Sequence, residues 1–148
     1  MIEVHVRGRI DRPAKEVFDI VADMGQNPTW QRGMRSCVWI TETPVRVGSQ
    51  YVQVATFMRR EIRTTFEVVE LEPGHSIRIR SVRSTFPLDI TRSVEPVTDA
   101  SCDVVADVAG DPGRTFWFLG PLLRWTVGRS IRRDYGRLKQ LLESRVAG

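Results

Sequence analysis

The chain has 148 residues, with 22 lysines and arginines against 18 acids and a formal net charge of +4. That length suits one domain spanning 1–148 with its own hydrophobic core, and no stretch holds the roughly 20 consecutive apolar residues of a membrane span. All but Lys15 and Lys139 of the basic residues are arginines, spread along the chain without aromatic clustering or a known motif, which argues against a specific nucleic-acid partner.

Residues 2–10 alternate as a strand, with Ile2, Val4, Val6 and Ile10 on one face and Glu3, His5, Arg7 and Arg9 on the other. No basic and then apolar leader opens the sequence, so a cytoplasmic location is expected. Asp11 or Arg12 precedes Pro13, and proline suits the first helical position because its missing N–H is not needed there. Ala14, Val17, Phe18, Val21 and Ala22 then follow at the spacing of one helical face. A loop, NPTW, ends in Trp30.

From there the pattern turns to alternation. Strands are predicted over 35–42, 49–58, 60–71, 76–83, 86–95 and 101–109, separated by Pro44 and Gly48, Arg59-Arg60, Glu72-Pro73-Gly74, Ser84-Thr85, and Pro96 through Ala100. The short connections predict an antiparallel meander rather than βαβ units. Ile62, Thr64, Phe66 and Val68 share one face, as do Phe86, Leu88, Ile90, Arg92 and Val94, and Cys102, Val104, Ala106 and Val108. Strand 49–58 is undecided between Tyr51, Gln53, Ala55 and Phe57 on one side and Val52, Val54 and Thr56 on the other.

Gly110, Pro112 and Gly113 end the sheet, and a long helix follows with Leu119, Leu123, Val127, Ile131, Leu138 and Leu142 on or near one stripe and Tyr135 at its flank. Gly120-Pro121 predicts a break near its start, leaving 114–122 as a separate short helix or a loop. The order strand, helix, loop, six strands, long helix gives an α+β fold of seven antiparallel strands, with the final helix laid across the apolar face. Cys37 and Cys102 lack CxxC or His spacing, and His5 and His75 lie far apart in the chain. Two buried thiols follow, with no metal and no cofactor implied.

This order, with IDRPAKEVFDIVAD, NPTW, the FEVVELEPG strand-turn and the amphipathic terminal helix, resembles the helix-grip superfamily of START-like, Bet v 1-like and polyketide cyclase/dehydrase-like proteins. The resemblance covers nearly the whole chain. It implies a curved sheet wrapped around the C-terminal helix, with one or two short helices after the first strand and a chamber for a small apolar or amphipathic ligand. In that chamber Trp30, Tyr51, Gln53, Thr64 and Phe66 are candidate contacts, together with Ser81, Arg83, Leu88, Ile90 and Arg92 from later strands and Leu123 and Val127 from the helix.

Two of these invite a choice. Trp30 is either a core plug or a ligand contact. Arg92 is a charge on an apolar face, so it must have a partner, reach solvent at a splayed strand end, or anchor a ligand carboxylate or enolate. Catalytic templates such as GxSxG, a P-loop, GxGxxG and HExxH are missing from the sequence. The reading therefore favours a module, monomeric or homodimeric, that binds a lipid, a polyketide-like molecule or an aromatic metabolite. A polyketide cyclase or dehydratase is the first alternative. The second is a regulatory protein touching a membrane or partner through Phe116, Trp117 and Trp125.

Overall fold

The computed structural model describes residues 2–57, 59–83, 87–111 and 120–145. These form β1 (Ile2–Ile10), α1 (Ala14–Val21), a 3-10 turn (Met24–Gln26), α2 (Asn27–Trp30) and then β2 (Met34–Trp39) through β7. The remaining strands are β3 (Gln50–Phe57), β4 (Arg60–Glu72), β5 (Ser76–Arg83), β6 (Leu88–Thr98) and β7 (Ser101–Gly110), followed by the long helix α3 (Gly120–Glu143). All seven strands join one curved antiparallel sheet in the order β1-β7-β6-β5-β4-β3-β2. The meander and the covering helix thus form as the alternation predicted.

Several boundaries differ from the sequence reading. Pro13 is the residue before the first helical turn of α1, and its carbonyl accepts the Val17 N–H at 3.2 Å. Strand β2 stops at Trp39 rather than running to 42, while β6 continues to Thr98. Pro96 is therefore not in the turn but inside β6, opposite Cys102. Strand β5 reaches only Ser93 of β6, so Pro96 lacks a neighbour on that side to which an N–H would donate. Residues 120–122 belong to α3, with Pro121 near its described start, and the rest of the predicted 114–122 segment lies outside the described residues. Phe86, Phe116 and Trp117 lie outside the described residues.

Register decides the undecided strand. Tyr51 faces Phe66 and Gln53 faces Thr64, so Tyr51, Gln53 and Ala55 point inward and Val52 and Val54 outward. The core gathers Val17, Phe18, Ile20 and Val21 of α1 with Val4, Val6 and Ile10 of β1, Val68, Ile77, Ile79, Val94 and Val104 of the sheet, and Leu138 and Leu142 of α3. Helix α3 packs along β1 and against α2. Only its C-terminal half sinks fully, since Leu123 and Val127 are half-buried and Leu122 and Trp125 are exposed. Gly128 lies over β1, where an added Cβ would come within 3.5 Å of Val4 Cγ1.

The two ends of the chain are tied together. Arg12 Nε donates to the Leu142 carbonyl at 2.9 Å, and the Asp11 N–H reaches Glu143 Oε2 at 3.4 Å. At the opposite corner the Asp23 carboxylate accepts from the Gly25 N–H, Gln26 Nε2 and Trp39 Nε1, fixing the turn between α1 and α2 to β2.

Candidate functional site

Arg92 sits mid-strand on the inner face of β6, between Ile77 of β5 and Ala106 of β7. The short Ala106 side chain leaves room for the arginine stem to cross the sheet. The residue is only 6% exposed, so it does not escape into solvent at a splayed strand end. Its Nη1 donates to Asn27 Oδ1 at 2.8 Å and to the Val21 carbonyl at 3.0 Å, and lies 3.3 Å from Met24 Sδ. Its Cζ lies 5.0 Å from the centroid of the Trp30 ring.

A buried cation normally requires an anion. Among the described residues, no carboxylate lies within ion-pair distance of Arg92. Its direct partners are neutral, and the buried Asp134 carboxylate attracts it from beyond ion-pair distance. Val21 ends α1, where carbonyl dipoles converge into partial negative charge, and the Trp30 face adds a cation–π contact. Asn27 is fully buried and is held by weak contacts from Nδ2 to Met24 Sδ and Cys37 Sγ, which leave Oδ1 aimed at the guanidinium.

Around this cation lie polar atoms without protein partners. Trp30 Nε1, Tyr51 Oη and Tyr135 Oη are all buried and unbonded. The Trp30 and Tyr135 rings meet at 5.6 Å, Tyr51 stacks on Phe66 at 5.3 Å, and Trp39 meets Tyr51 edge-on at 5.2 Å. Each such orphan costs on the order of 1–3 kcal/mol. Trp30 can only donate, and burial raises both tyrosine pKa values, to about 12 for Tyr135, so both phenols keep their protons near neutral pH. The interior face thus combines aromatic surface with hydrogen-bond donors. Chemically, such donors match an oxygen acceptor, neutral or anionic.

A nucleophile is not on offer there. Burial pushes the Cys37 thiol up to about 11, which keeps it protonated. His5 pairs with Asp107 on the outer surface, and His75 Nδ1 lies against the Val94 carbonyl.

Of the remaining candidates, Gln53 and Thr64 occupy the next inner row beside Cys37. Leu88 and Ile90 are half-buried on β6. Ser81 Oγ accepts the Leu88 N–H at 2.8 Å, which closes β5 onto β6. Arg83 departs from expectation: a bulge between Thr65 and Phe66 pairs Arg83 with Thr65 and Phe66 with Ser81. One skipped residue reverses the facing of a side chain, so Arg83 is exposed and borders an outer groove with Ile40, Gln50 and Val82. Asn27, Met24 and Tyr135 join the site without having been singled out. An amide in NPTW opposite an inward arginine was the available signal.

Asp134, on α3 beside Tyr135, is buried with Oδ1 accepting the Arg32 N–H at 3.2 Å. Burial raises its pKa, with the Arg32 N–H and then the charges of Arg133, Arg137 and Arg92 opposing. A raised acid destabilises the fold once ionised, so the protein loses stability as pH rises through that value. Asp134→Asn keeps the acceptor and removes the charge. It is expected to be more stable than the parent in urea unfolding at about pH 7.5, with the gap closing at about pH 4.

A family model described as polyketide cyclase/dehydrase and lipid transport matches residues 1–143. The chain belongs to that family. This member of the polyketide cyclase/dehydrase and lipid transport family shares its fold with solved START superfamily and aromatase/cyclase proteins. A START superfamily protein from Mycobacterium smegmatis superposes with a TM-score of 0.81 at 16% identity, covering 95% of this chain and 97% of that one. A Thermus thermophilus protein gives 0.81 at 17% identity over 97% and 99%. A Streptomyces aromatase/cyclase gives 0.80 at 14% identity over 99% and 96%. Among curated proteins none matches the sequence.

Proposed function

We propose that the protein binds a small amphipathic molecule inside the grip of sheet and helices. The apolar body packs against Trp30, Tyr51 and Phe66, and an oxygen acceptor on the ligand faces Arg92. The observation that carries this reading is a buried guanidinium held by neutral acceptors only, surrounded by the unbonded Trp30 Nε1, Tyr51 Oη and Tyr135 Oη. A carboxylate, an enolisable carbonyl or a phenolate would meet those donors together, and a hydrocarbon would meet none. Apolar desolvation at about 25 cal/mol per Å2 supplies affinity, and the donors fix orientation. The family description, which names both cyclase/dehydrase activity and lipid transport, is compatible with this.

A second reading is ring closure or dehydration of a polyketide. It draws on the same cation, because a guanidinium beside a carbonyl stabilises the negative charge of an enolate. The solved aromatase/cyclase of the same fold supports keeping it in view. Binding without turnover stands first because the Arg92 surroundings are mainly donors, and the buried carboxylate nearest them, Asp134, accepts from the Arg32 N–H.

The test is a thermal-shift panel of size-matched pairs, a fatty or aromatic carboxylate against the corresponding hydrocarbon, with native mass spectrometry of the freshly purified protein. At ligand concentrations near 100 times Kd, the acids should raise Tm by about 5–10 °C. Equal shifts for both members of each pair would remove the acceptor from the proposal. No shift across the panel would remove the ligand.

A further inference from the structure

Beyond the interior site, we propose that the outward face of α3 docks the protein onto an anionic membrane surface. Leu122 and Trp125 stand 56% and 58% exposed in the first turns of that helix. Arg129, Arg132, Arg133 and Arg137 continue the same exposed stripe at steps of three and four residues. Trp125 and Arg129 already pack together, with Cζ 5.4 Å from the ring centroid. Of the two carboxylates of the helix, Glu143 is bonded to Lys139, and the buried Asp134 attracts Arg133 and Arg137 without making an ion pair, which leaves the face net positive.

A contrast within the molecule sharpens the point. On the outer face of the sheet Arg7, Arg9, Arg78 and Arg80 all meet carboxylates. Among the described residues, none of Arg129, Arg132, Arg133 and Arg137 does. With no close ion pair, these guanidiniums can turn to an external anion. Arg132 and Trp125 also border an open groove of about 440 Å3 between α3 and β1.

A polyanion such as nucleic acid would account for the arginines but not for Leu122 and Trp125 held in water. The boundary of a bilayer takes both, with indole and isobutyl groups among the upper acyl segments and guanidiniums at the phosphates. Charge complementarity and the exposed apolar turn therefore select a lipid surface, met by the first turns of α3.

The proposal is tested by co-sedimentation with phosphatidylcholine vesicles prepared with and without phosphatidylserine. The full chain should sediment only with phosphatidylserine present, and raising salt to about 0.5 M should release it. The pair Arg129→Glu with Arg133→Glu should weaken binding about tenfold or more. Trp125→Ala should weaken it several-fold, and vesicles should blue-shift the parent emission. All three changes are on exposed positions, so an unchanged melting curve verifies the fold, and the interior ligand panel reads the other site independently. The idea is overturned if phosphatidylserine vesicles do not sediment the protein, or if sedimentation ignores both variants. Double-stranded DNA that competes the vesicles off and binds regardless of Trp125→Ala would overturn it in favour of a nucleic-acid partner.

Discussion

Arg92→Met is expected to weaken binding of an acceptor-bearing ligand by about 10- to 100-fold while changing the affinity for a matched hydrocarbon by about threefold or less. The asymmetry follows from what the side chain does. Methionine preserves much of the stem volume on the inner face of β6, and so most of the apolar wall. It deletes a charge-assisted donor, worth about 1.5–3 kcal/mol to an oxygen it meets in a dry setting. Stability moves in two directions at once. Asn27 Oδ1 and the Val21 carbonyl lose their shared donor, while a desolvated cation without a carboxylate partner disappears. The net change in urea unfolding should stay within about 2 kcal/mol. Arg92→Lys separates charge from shape, since an ammonium keeps the charge but lacks the planar fork that lies over Trp30. Isothermal titration of both ligand types against the three proteins decides the matter. Equal losses for acid and hydrocarbon would make Arg92 a structural residue only.

Trp30→Ala should be the most damaging single truncation in the interior. The side chain is 1% exposed and touches both Tyr135 of α3 and the guanidinium of Arg92. It is therefore the joint between α2, α3 and the sheet. Emptying such a site costs about 3–5 kcal/mol, and for a chain of this size Tm should fall by about 10 °C or more. Trp30→Phe makes the informative partner. It keeps a ring in the same place and removes Nε1, which bonds to no protein atom. Its stability cost should be under about 2 kcal/mol, whereas its affinity for an acceptor-bearing ligand should drop if that N–H points at the ligand. A melting temperature for Trp30→Ala within about 2 °C of the parent would show that the ring is not the joint described.

The sequence carried the architecture well because alternation and helical spacing are local properties. Val4, Val6 and Ile10 could be placed on the inner face from their own neighbours, and so could Thr64, Phe66 and Val68. Tyr51 could not, since both faces of its strand are apolar enough; only pairing with Phe66 decides it. Arg83 was misplaced for a related reason. The bulge that turns it outward is a relation between β4 and β5, and nothing in the composition of either strand announces it. Arg92 stood out as a charge in an apolar row, so the centre of the site was legible. Its partners were not, because the Asn27 amide and the Val21 carbonyl lie 65 and 71 residues away in the chain. Their meeting depends on how α1 and α2 fold back over the sheet.

The strand order has a consequence for how the protein folds. β1, which precedes the other six strands in the chain, finds its hydrogen-bonded neighbour in β7, and Arg12 finds the Leu142 carbonyl. Until those late segments join, β1 exposes Val4, Val6 and Ile10 with no strand beside them, while β2 through β5 can pair locally hairpin by hairpin. Closure of the core therefore waits on contacts between segments far apart in the chain, and is slower than the formation of any one local hairpin. In pulsed hydrogen exchange during refolding, amides of β3 and β4 should gain protection before those of β1, and simultaneous protection would show that this closure is not the late step.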